Sequence, residues 1–362
     1  LTECLAALVD PATGQASNIG HNDGTHLLPL TEAVGGDFRP TLQSAGALFL
    51  GSSFYPTGPW DELGLWLGLD PPGRGGPQGP DSFPEAGLHI ARGVRSRATL
   101  RCARFRTRPS HSDQLHFDLW VDGEYLIRDP GTYRYKAAAD WLDVLAGAAG
   151  HNAPLLDGRE PMERAGRFLW TRWAQARLLG RWRSANGALE ALTAEHSGYR
   201  SLGILVLRTV VRAGDEAWLI ADDIVGEGDH SISCRWLLPD GKQELEGSKV
   251  TVELAGARAA LEAAGNGVKV GIYRAGRLIG GQPVGARVEA EALGWYSPSY
   301  DALVPGLMVA FGFEGSLPQR IETRIVLDGG QAPEIERTGP PGPGALVEGA
   351  LVLWKNEALR LS

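Results

Sequence analysis

Cysteine is scarce in this sequence of 362 residues, and the three that occur lie far apart, at Cys4, Cys102 and Cys234. No two of them form a CxxC pair, so neither a zinc knuckle nor a disulfide framework is indicated. Cys102 and Cys234 lie inside apolar runs, where a thiol behaves as a small buried hydrophobic group. We therefore expect these two to be packing residues.

Long apolar runs are also missing. No run approaches the roughly 20 residues that cross a bilayer, so we expect no membrane span. Residues 1–10 lack the basic start and the small-residue cleavage site of a signal peptide. The chain opens without methionine, so these residues leave its localisation undetermined.

Basic charge is not in excess either. The chain has 35 Lys and Arg against 43 Asp and Glu, a formal net charge of −8. Proteins that bind nucleic acid usually carry a basic domain or stripe, so we predict no nucleic-acid partner. One local run of arginines, at positions 101, 104, 106 and 108, is expected to alternate on the exposed face of a strand.

The composition that remains is that of a globular protein, with 43% hydrophobic and 22% charged residues. The length is too great for one ordinary core, so two units are expected. Residues 1–80 read as helical, with helices near 1–9, 40–50 and 60–69, and end in a Pro/Gly-rich linker at 71–77. Residues 81–362 form the second unit.

The second unit alternates apolar and polar residues with period two. Asp122-Gly123 is typical of a two-residue hairpin turn, and Gly, Asp and Glu turns separate many short runs. This pattern predicts a mainly β protein of stacked antiparallel sheets, similar to a β-sandwich, preceded by the short helical part. The predicted strands cover 88–92, 98–105, 115–121, 168–173, 204–211, 217–224, 231–238, 249–254, 268–273, 287–292, 307–313, 323–327 and 345–354.

Two imidazoles and a carboxylate stand at the ends of apolar runs, as His111, Asp129 and His151. This is a donor set that a borderline divalent cation such as zinc selects. The separations are too long for one helical turn but suit neighbouring antiparallel strands. Strict counting back from the Asp122-Gly123 turn instead pairs His116 with Asp129, which would make His116 the ligand. Spacing alone also allows all of these residues to be caps and turn formers.

Several motifs occur in one order along the chain and together resemble a known family. They are Ser82-Phe83-Pro84-Glu85-Ala86-Gly87, His111-x-Asp113-x-Leu115, Asp129-Pro130-Gly131-Thr132-x-x-Tyr135, His151-Asn152 followed by Leu156-Asp157-Gly158, His196-Ser197-Gly198-Tyr199, and Ile220-Ala221-Asp222. The combination resembles the C-terminal β-domain of the heparinase II/III-like polysaccharide lyases. Residues 18–50, with Gly20-His21-Asn22-Asp23-Gly24, look like the end of that family's α/α-toroid.

The resemblance implies a helical toroid packed on a multi-sheet β-domain, with a sugar-binding groove between them. The family's metal site uses the histidine of H-x-D, the aspartate of D-P-G-T and the histidine of H-N. These correspond to His111, Asp129 and His151, not His116. The implied cofactor is a divalent metal, first zinc, with calcium or manganese as alternatives. The implied location is periplasmic or secreted.

One departure from the family pattern concerns catalysis. Characterised lyases of this kind carry a second histidine two residues before the metal-binding one, and here that position is Pro109. Proline has neither a donor nor a titratable group. In addition, most of the toroid that supplies catalytic residues in those enzymes is not part of this sequence.

The remaining candidates are residues that suit β-elimination on a uronate. Tyr133, Tyr135 and His196 are the candidate acid–base residues, because Tyr or His removes and returns the proton. Two sets are predicted to contact the sugar: the polar loop residues His21, Asn22 and Asp23, and the groove residues Arg172 and Trp295.

The expected function is cleavage of an anionic, uronate-containing glycan by a lyase whose metal is structural. A non-catalytic carbohydrate-binding or scaffolding domain is one alternative, and metal-assisted glycan hydrolysis is another. The expected partner is therefore an anionic polysaccharide or oligosaccharide. The sequence leaves the glycan, exo or endo action and the oligomeric state open.

Overall fold

A computed structural model describes residues 1–70, 79–136, 145–254, 256–265, 267–285, 291, 293–336 and 350–361. The predicted linker at 71–77 and the predicted strand at 287–292 fall largely or wholly outside these residues. The first part of the chain is helical, and strands follow from Ser82 onward. The division into two units near residue 80 stays a prediction.

The helical part contains three short α-helices, which are α1 (Thr2–Leu8), α2 (Arg39–Ala45) and α3 (Glu62–Trp66). A π-helical turn, Gly46–Leu50, continues α2, and a 3-10 turn, Pro59–Asp61, leads into α3. Helices were expected at these places, although each observed helix is shorter than predicted. Among the described residues, no helix is long and apolar enough to span a bilayer.

A five-stranded antiparallel sheet follows, with its strands in chain order. They are β1 (Ser82–Phe83), β2 (Leu88–Arg92), β3 (Ser96–Arg101), β4 (Phe117–Val121) and β5 (Glu124–Ile127). Asp122 and Gly123 join β4 to β5 with φ angles of 49° and 84°, as the hairpin motif predicts. This sheet positions most of the candidate site.

Two larger antiparallel sheets complete the main β-structure. The eight-stranded sheet has the order β14-β15-β16-β21-β12-β11-β10-β9, and the six-stranded sheet has the order β18-β17-β20-β13-β6, with β19 beside β20. Their bounds are β6 (Pro154–Leu156), β9 (Ala176–Arg183), β10 (Leu189–His196), β11 (Leu205–Ala213), β12 (Ala217–Val225), β13 (Asp229–Pro239), β14 (Lys242–Glu246), β15 (Lys249–Glu253), β16 (Arg258–Ala264), β17 (Lys269–Arg274), β18 (Arg277–Gly281), β19 (Trp295–Tyr296), β20 (Val304–Ser316) and β21 (Gln319–Leu327).

Two small sheets are separate from these. The hairpin β7 (Glu163–Gly166) and β8 (Leu169–Thr171) forms one, and β22 (Glu334–Glu336), β23 (Leu351–Trp354) and β24 (Glu357–Arg360) form the other. The largest hydrophobic cluster is shared by all three main sheets. Phe117 of the five-stranded sheet contacts Trp218 of the eight-stranded sheet and Trp236 of the six-stranded sheet, with ring centroids 5.8 and 6.1 Å apart.

The predicted fold class is confirmed: the protein is mainly β, with several antiparallel sheets. The period-two segments predicted about half of the described strands, and β2 matches at both ends. The long strands β9, β10 and β16 are among those that were not predicted. The arginine run was also placed wrongly, because only Arg101 of the four lies in a strand and the chain beyond it is irregular.

The helical part packs on the outward face of the five-stranded sheet, which is unusually polar. The Arg97 Nη1 group donates to the carbonyl oxygens of Ala7 and Val9, at 3.2 and 2.9 Å. The Trp120 indole N–H donates to Ser17 Oγ at 3.0 Å. These bonds connect the chain's first residues to β3 and β4.

Candidate metal centre

His111, Asp129 and His151 converge at one end of the five-stranded sheet. His111 precedes β4, Asp129 follows β5, and His151 lies just before β6. One possible ligand atom from each residue lies within 4.8 Å of those of the other two. All three side chains are buried, with at most 2% of each residue exposed. Residues far apart in the chain therefore meet in one enclosed polar cluster.

Hydrogen bonds define the free nitrogen of His151. Its Nδ1 lies 2.6 Å from the carbonyl oxygen of Gly147, so Nδ1 carries the proton and donates. This leaves Nε2, which lies 3.3 Å from Asp129 Oδ2, as the nitrogen that can bind a metal. A buried imidazole fixed through one nitrogen with the other available is the usual arrangement of a metal ligand.

His116 has the opposite arrangement. Its Nδ1 accepts the backbone N–H of Asn152 at 3.0 Å, so in the neutral ring Nε2 carries the proton. Nε2 lies 3.7 Å from Asp129 Oδ2. A protonated nitrogen cannot ligate a metal, but it can orient the carboxylate that does. The hydrogen bonds therefore favour His111 and His151 over His116 as ligands.

The reason that strict counting failed lies in β4 and β5. Val121 pairs with Glu124 and Trp120 with Tyr125, but Leu119 pairs with Ile127. A β-bulge thus shifts the register by one residue before Asp129 is reached. His116 still comes near Asp129, although not through the pairing that the turn predicts.

The donor set suits a divalent cation. His111 Nδ1 and His151 Nε2 are buried and lack hydrogen-bond partners, while His111 Nε2 lies 3.5 Å from the hydroxyl of Thr132. Asp129 Oδ1 accepts the N–H of Gly131 at 2.8 Å, which leaves Oδ2 toward the histidines. Buried polar atoms without partners are costly, and two imidazole nitrogens with one carboxylate are ligands that zinc accepts.

The pKa values of the three imidazoles are shifted in different directions. Burial, followed by the neighbouring His151, holds the pKa of His111 and of His116 well below the usual value. Burial also opposes charge on His151, but the carboxylate of Asp129 outweighs it and raises the pKa of His151 to about 9. The proton that this pKa implies lies on Nε2, and a metal ion would have to displace it on binding.

Asn152 connects the site to the strands around it. Its side-chain amide donates to the carbonyl oxygens of Phe117 and Arg128, at 2.9 and 2.8 Å, and its Oδ1 accepts the N–H of Leu237 at 2.8 Å. These residues belong to β4, the end of β5 and β13. Every polar atom of this buried side chain is therefore used to hold three chain segments together.

A buried ion pair supports the site from the eight-stranded sheet. Arg208 of β11 pairs with Asp222 of β12 at 2.7 Å, and neither side chain is exposed. Arg208 Nη1 also donates to the carbonyl oxygens of Leu115 and Asn152. Leu115 has a φ of 60°, unusual for a residue other than glycine, and lies just before His116.

Above the metal cluster, the polar loop of the helical part meets the β-domain. The His21 ring lies 5.4 Å from that of His111, and 5.5 Å from those of Tyr135 and Phe168. Tyr135 also contacts Phe168 and Tyr300, at 5.0 and 5.3 Å. We call these four rings (His21, Tyr135, Phe168 and Tyr300) the aromatic mouth. Two predicted residues, His21 and Tyr135, are thus brought together.

The other loop residues lie beside this mouth. The backbone N–H of Asn22 donates to the Thr132 hydroxyl at 3.2 Å, and its Oδ1 accepts the N–H of Gly24. Asp23 is exposed, and hydrogen bonds from Thr25 lower the pKa of its carboxyl. Asn22 therefore shapes the loop, while the Asp23 carboxylate faces solvent.

Tyr133 and Trp295 lie on the neighbouring surface. Tyr133 has a φ of 61°, and its N–H donates to Ser297 Oγ at 2.9 Å. The Arg134 guanidinium lies 4.7 Å from the Tyr133 ring centroid. Trp295 is half-buried in β19, two residues before Ser297, and its indole N–H donates to the carbonyl oxygen of Glu291.

Two predicted residues lie apart from this cluster by their described contacts. His196 is the last residue of β10 and only 3% exposed; its Nδ1 accepts the N–H of Gly198 at 3.1 Å. Burial, then the charge of Arg208, lowers its pKa to about 4. Arg172 is exposed beyond β8 and pairs with Glu163 at 3.2 Å. Neither contacts the metal cluster or the mouth.

Phe168 is a residue of the mouth that sequence reasoning missed, whereas Tyr300 follows Trp295 closely, in a segment that was expected to form part of the groove. Phe168 was assigned to a strand but lies in the turn of the β7–β8 hairpin, and Tyr300 lies in an irregular segment after β19. Both reach the mouth only because distant segments pack together. The sequence carries no local signal for such contacts.

Comparison with known proteins agrees with this geometry. Residues 75–323 match the family model described as "Heparinase II/III-like, C-terminal", which is more than half of the sequence. The chain therefore belongs to the heparinase II/III-like family through this C-terminal domain. No curated protein matches the sequence.

Solved structures share the fold. The crystal structure of heparan sulfate lyase HepC from Pedobacter heparinus superposes with a TM-score of 0.65 at 14% identity, covering 96% of this chain and 50% of that chain. A heparinase III structure gives a TM-score of 0.65 at 13% identity, covering 99% and 52%. This chain thus spans about half the length of those proteins.

Proposed function

We propose that this protein is a polysaccharide lyase that cleaves an anionic, uronate-containing glycan by β-elimination. The observation that carries the proposal is the buried His111, Asp129 and His151 cluster lying directly beneath a mouth that contains His21 and Tyr135. Membership of the heparinase II/III-like family supports the same class of reaction.

In β-elimination the C5–H bond and the bond from C4 to the leaving oxygen break, and a C4–C5 double bond forms. The C5 proton goes to a base, and the leaving oxygen takes up a proton. Burial, then Asp23 and Tyr300, raise the pKa of Tyr135, so its phenol is protonated at neutral pH. In our proposal Tyr135 gives this proton to the leaving oxygen, while His21 and Tyr133 contact the sugar.

A divalent metal, zinc in the first instance, would be held by His111, Asp129 and His151. When bound, it would supply a structural link between three chain segments rather than a reacting group. His116 and Thr132 orient the ligand side chains in this proposal. The mouth rests on these same segments, so its shape depends on the link.

A non-catalytic glycan-binding protein is the second candidate, and Pro109 is the observation that favours it. Pro109 is buried at the position where characterised relatives have a catalytic histidine. Binding would then use the same mouth, without proton transfer.

Incubation of the zinc-loaded protein with heparin, unsulfated heparosan, hyaluronan and alginate tests the proposal. The expected result is rising ultraviolet absorbance from the unsaturated uronate on at least one substrate. Tyr135→Phe should abolish this signal while zinc content and Tm stay unchanged. Tyr55→Phe, which removes a hydroxyl from the helical part, is the matched control.

Two outcomes contradict the lyase, and a third contradicts only the role of Tyr135. Glycan binding without any cleavage identifies the non-catalytic alternative. New reducing ends without the absorbance identify hydrolysis. Full activity in Tyr135→Phe removes the acid–base role of this residue.

A further inference from the structure

The segment that leads into His111 lies between the helical part and the β7–β8 hairpin. A Cβ placed on Gly20 would lie 3.2 Å from Ser110 Cβ, so the polar loop packs closely on this segment. From the other side, the Trp170 indole N–H donates to the carbonyl oxygen of Ser110 at 3.1 Å. The residues just before Ser110 are therefore placed at the edge of the aromatic mouth.

Arg108 begins this segment, and two other arginines of its run are already paired. Arg101 pairs with Asp113 at 3.1 Å, and Arg106 with Glu85 at 3.3 Å. Arg108 is exposed, and within the described part of the chain it makes no ion pair or hydrogen bond. Its guanidinium is thus available to a ligand at the mouth.

A second guanidinium comes from the hairpin on the other side. Arg164 lies 5.3 Å from the Trp170 ring centroid, and its Nη2 donates to the carbonyl oxygen of Arg167. The Trp170 indole that Arg164 covers is the one that bonds to Ser110, so this cation lies beside the segment that Arg108 begins. Arg108 and Arg164 therefore stand on two neighbouring segments at the edge of the mouth.

The mouth also offers apolar surface for a sugar ring. Phe168 is half-buried at the hairpin turn, edge-on to His21 and to Tyr135, at 5.5 and 5.0 Å. Aromatic faces bind sugar rings, and the planar guanidinium fork fits a carboxylate or sulfate with two parallel hydrogen bonds. Aromatic and cationic groups thus stand side by side.

We propose that Arg108, assisted by Arg164, is a specificity-determining residue that binds the carboxylate or sulfate of a sugar unit lying against Phe168. The inference rests on the proposed function, because it assigns the acidic group of that substrate to a particular part of the same site. The segment before His111 and the β7–β8 hairpin then bind the negative charge of the glycan together.

Binding measurements with purified glycans test this assignment. Arg108→Ala should weaken binding of heparin about tenfold or more, because a charge-assisted bidentate contact is lost. Arg104→Ala is the matched control: Arg104 is exposed on the same run, without a described partner, and should change affinity less than about twofold. Arg108→Lys keeps the charge without the fork and should be intermediate.

Comparison of ligands separates the two acidic groups. A larger loss on unsulfated heparosan than on dextran sulfate assigns the contact to carboxylate, and the reverse assigns it to sulfate. Neutral dextran should show no dependence on Arg108. Equal affinities of wild type, Arg108→Ala and Arg104→Ala for every charged glycan would overturn the inference.

These readouts are independent of cleavage. If no unsaturated product forms but Arg108→Ala still loses heparin affinity, the lyase assignment fails and the binding assignment stands. If product forms and the affinity and KM of Arg108→Ala equal those of wild type, the opposite holds.

Discussion

The role of each histidine near Asp129 follows from the partner of its second nitrogen. His151 donates from Nδ1 to Gly147, whereas His116 accepts at Nδ1 from Asn152. His151 therefore has the nitrogen of a candidate ligand directed toward Asp129, whereas His116 has an N–H group there that can donate to the carboxylate. Identity and distance alone do not separate them.

We predict that His111→Ala and His151→Ala each abolish zinc binding and lower Tm together, because metal bound to the folded state stabilises it. His116→Gln should keep one zinc per chain but bind it about 10- to 100-fold more weakly, as expected for an orienting residue. Elemental analysis, zinc titration and thermal unfolding measure these effects.

Loss of zinc in His116→Gln together with full zinc content in His111→Ala would reverse the assignment. No zinc in the wild-type protein at saturating metal would remove the metal site altogether.

A variant of His196 tests whether this residue is a buried, neutral histidine or a catalytic one. Its pKa is lowered to about 4 in the fold, so the unfolded chain binds a proton first as pH falls below about 6.5. The contribution of this histidine to stability is thus present at pH 7 and lost between about pH 6.5 and 4, at most about 3 kcal/mol. His196→Gln should flatten this part of the pH dependence of the unfolding free energy and leave glycan cleavage unchanged.

Denaturant unfolding at pH 7, 5.5 and 4 measures this difference. An unchanged pH dependence contradicts the buried neutral state, and loss of cleavage with an intact fold restores a catalytic role.

Sequence reasoning reached the candidate metal ligands through their motifs but did not give the reasons for their convergence. His111, Asp129 and His151 stand in recognisable patterns, whereas the choice against His116 depends on hydrogen-bond direction. Likewise Phe168 has no motif, and its place in the site depends on packing between the hairpin and the polar loop. Such information is not local in the chain.

At the level of the strands, the Asn152 side chain links β4, the end of β5 and β13 through hydrogen bonds. We predict that Asn152→Ala costs at least about 3 kcal/mol of unfolding free energy, because two carbonyl groups and one N–H lose their partner in a buried place. Zinc affinity should fall with it, since His151 is adjacent.

The matched control is Asn186→Ala, whose side chain bonds to Ser184 and Glu357 at the surface and should cost less than about 1 kcal/mol. Chemical denaturation of both variants measures the difference. Similar costs would show that the Asn152 contacts are replaceable by solvent.

Strand prediction succeeded where alternation was strong and failed where it was not. β2 and the β4–β5 turn follow from period two and Asp-Gly chemistry. In β10 the sequence LEALTAEH is rich in helix formers, yet β9 and β11 pair with it on both sides and all but one of its residues are buried. Tertiary pairing there overrides local propensity.

Across the molecule, the ion pair of Arg208 and Asp222 joins the eight-stranded sheet to the metal-site segments. We predict that Arg208→Met destabilises the protein by about 3–5 kcal/mol, because Asp222 is left charged, buried and unpaired. Zinc affinity should also decrease, since the carbonyl groups of Leu115 and Asn152 lose their donor.

The double variant Arg208→Met with Asp222→Leu provides the control, and should be more stable than Arg208→Met because no charge remains unpaired. The unfolding free energy and the zinc affinity are measured for wild type, Arg208→Met, Asp222→Leu and the double variant, which together form a double-mutant cycle. A double variant less stable than either single variant contradicts this account.

The Trp120 indole lies flat on Tyr125, with centroids 4.4 Å apart, and donates to Ser17 of the helical part. Its fluorescence therefore reports whether the leading segment is docked on the sheet. A Trp120→Phe difference spectrum isolates this signal from that of the other tryptophans. Recorded during denaturant titration, it would show whether the amino-terminal region detaches before the β-domain melts or together with it.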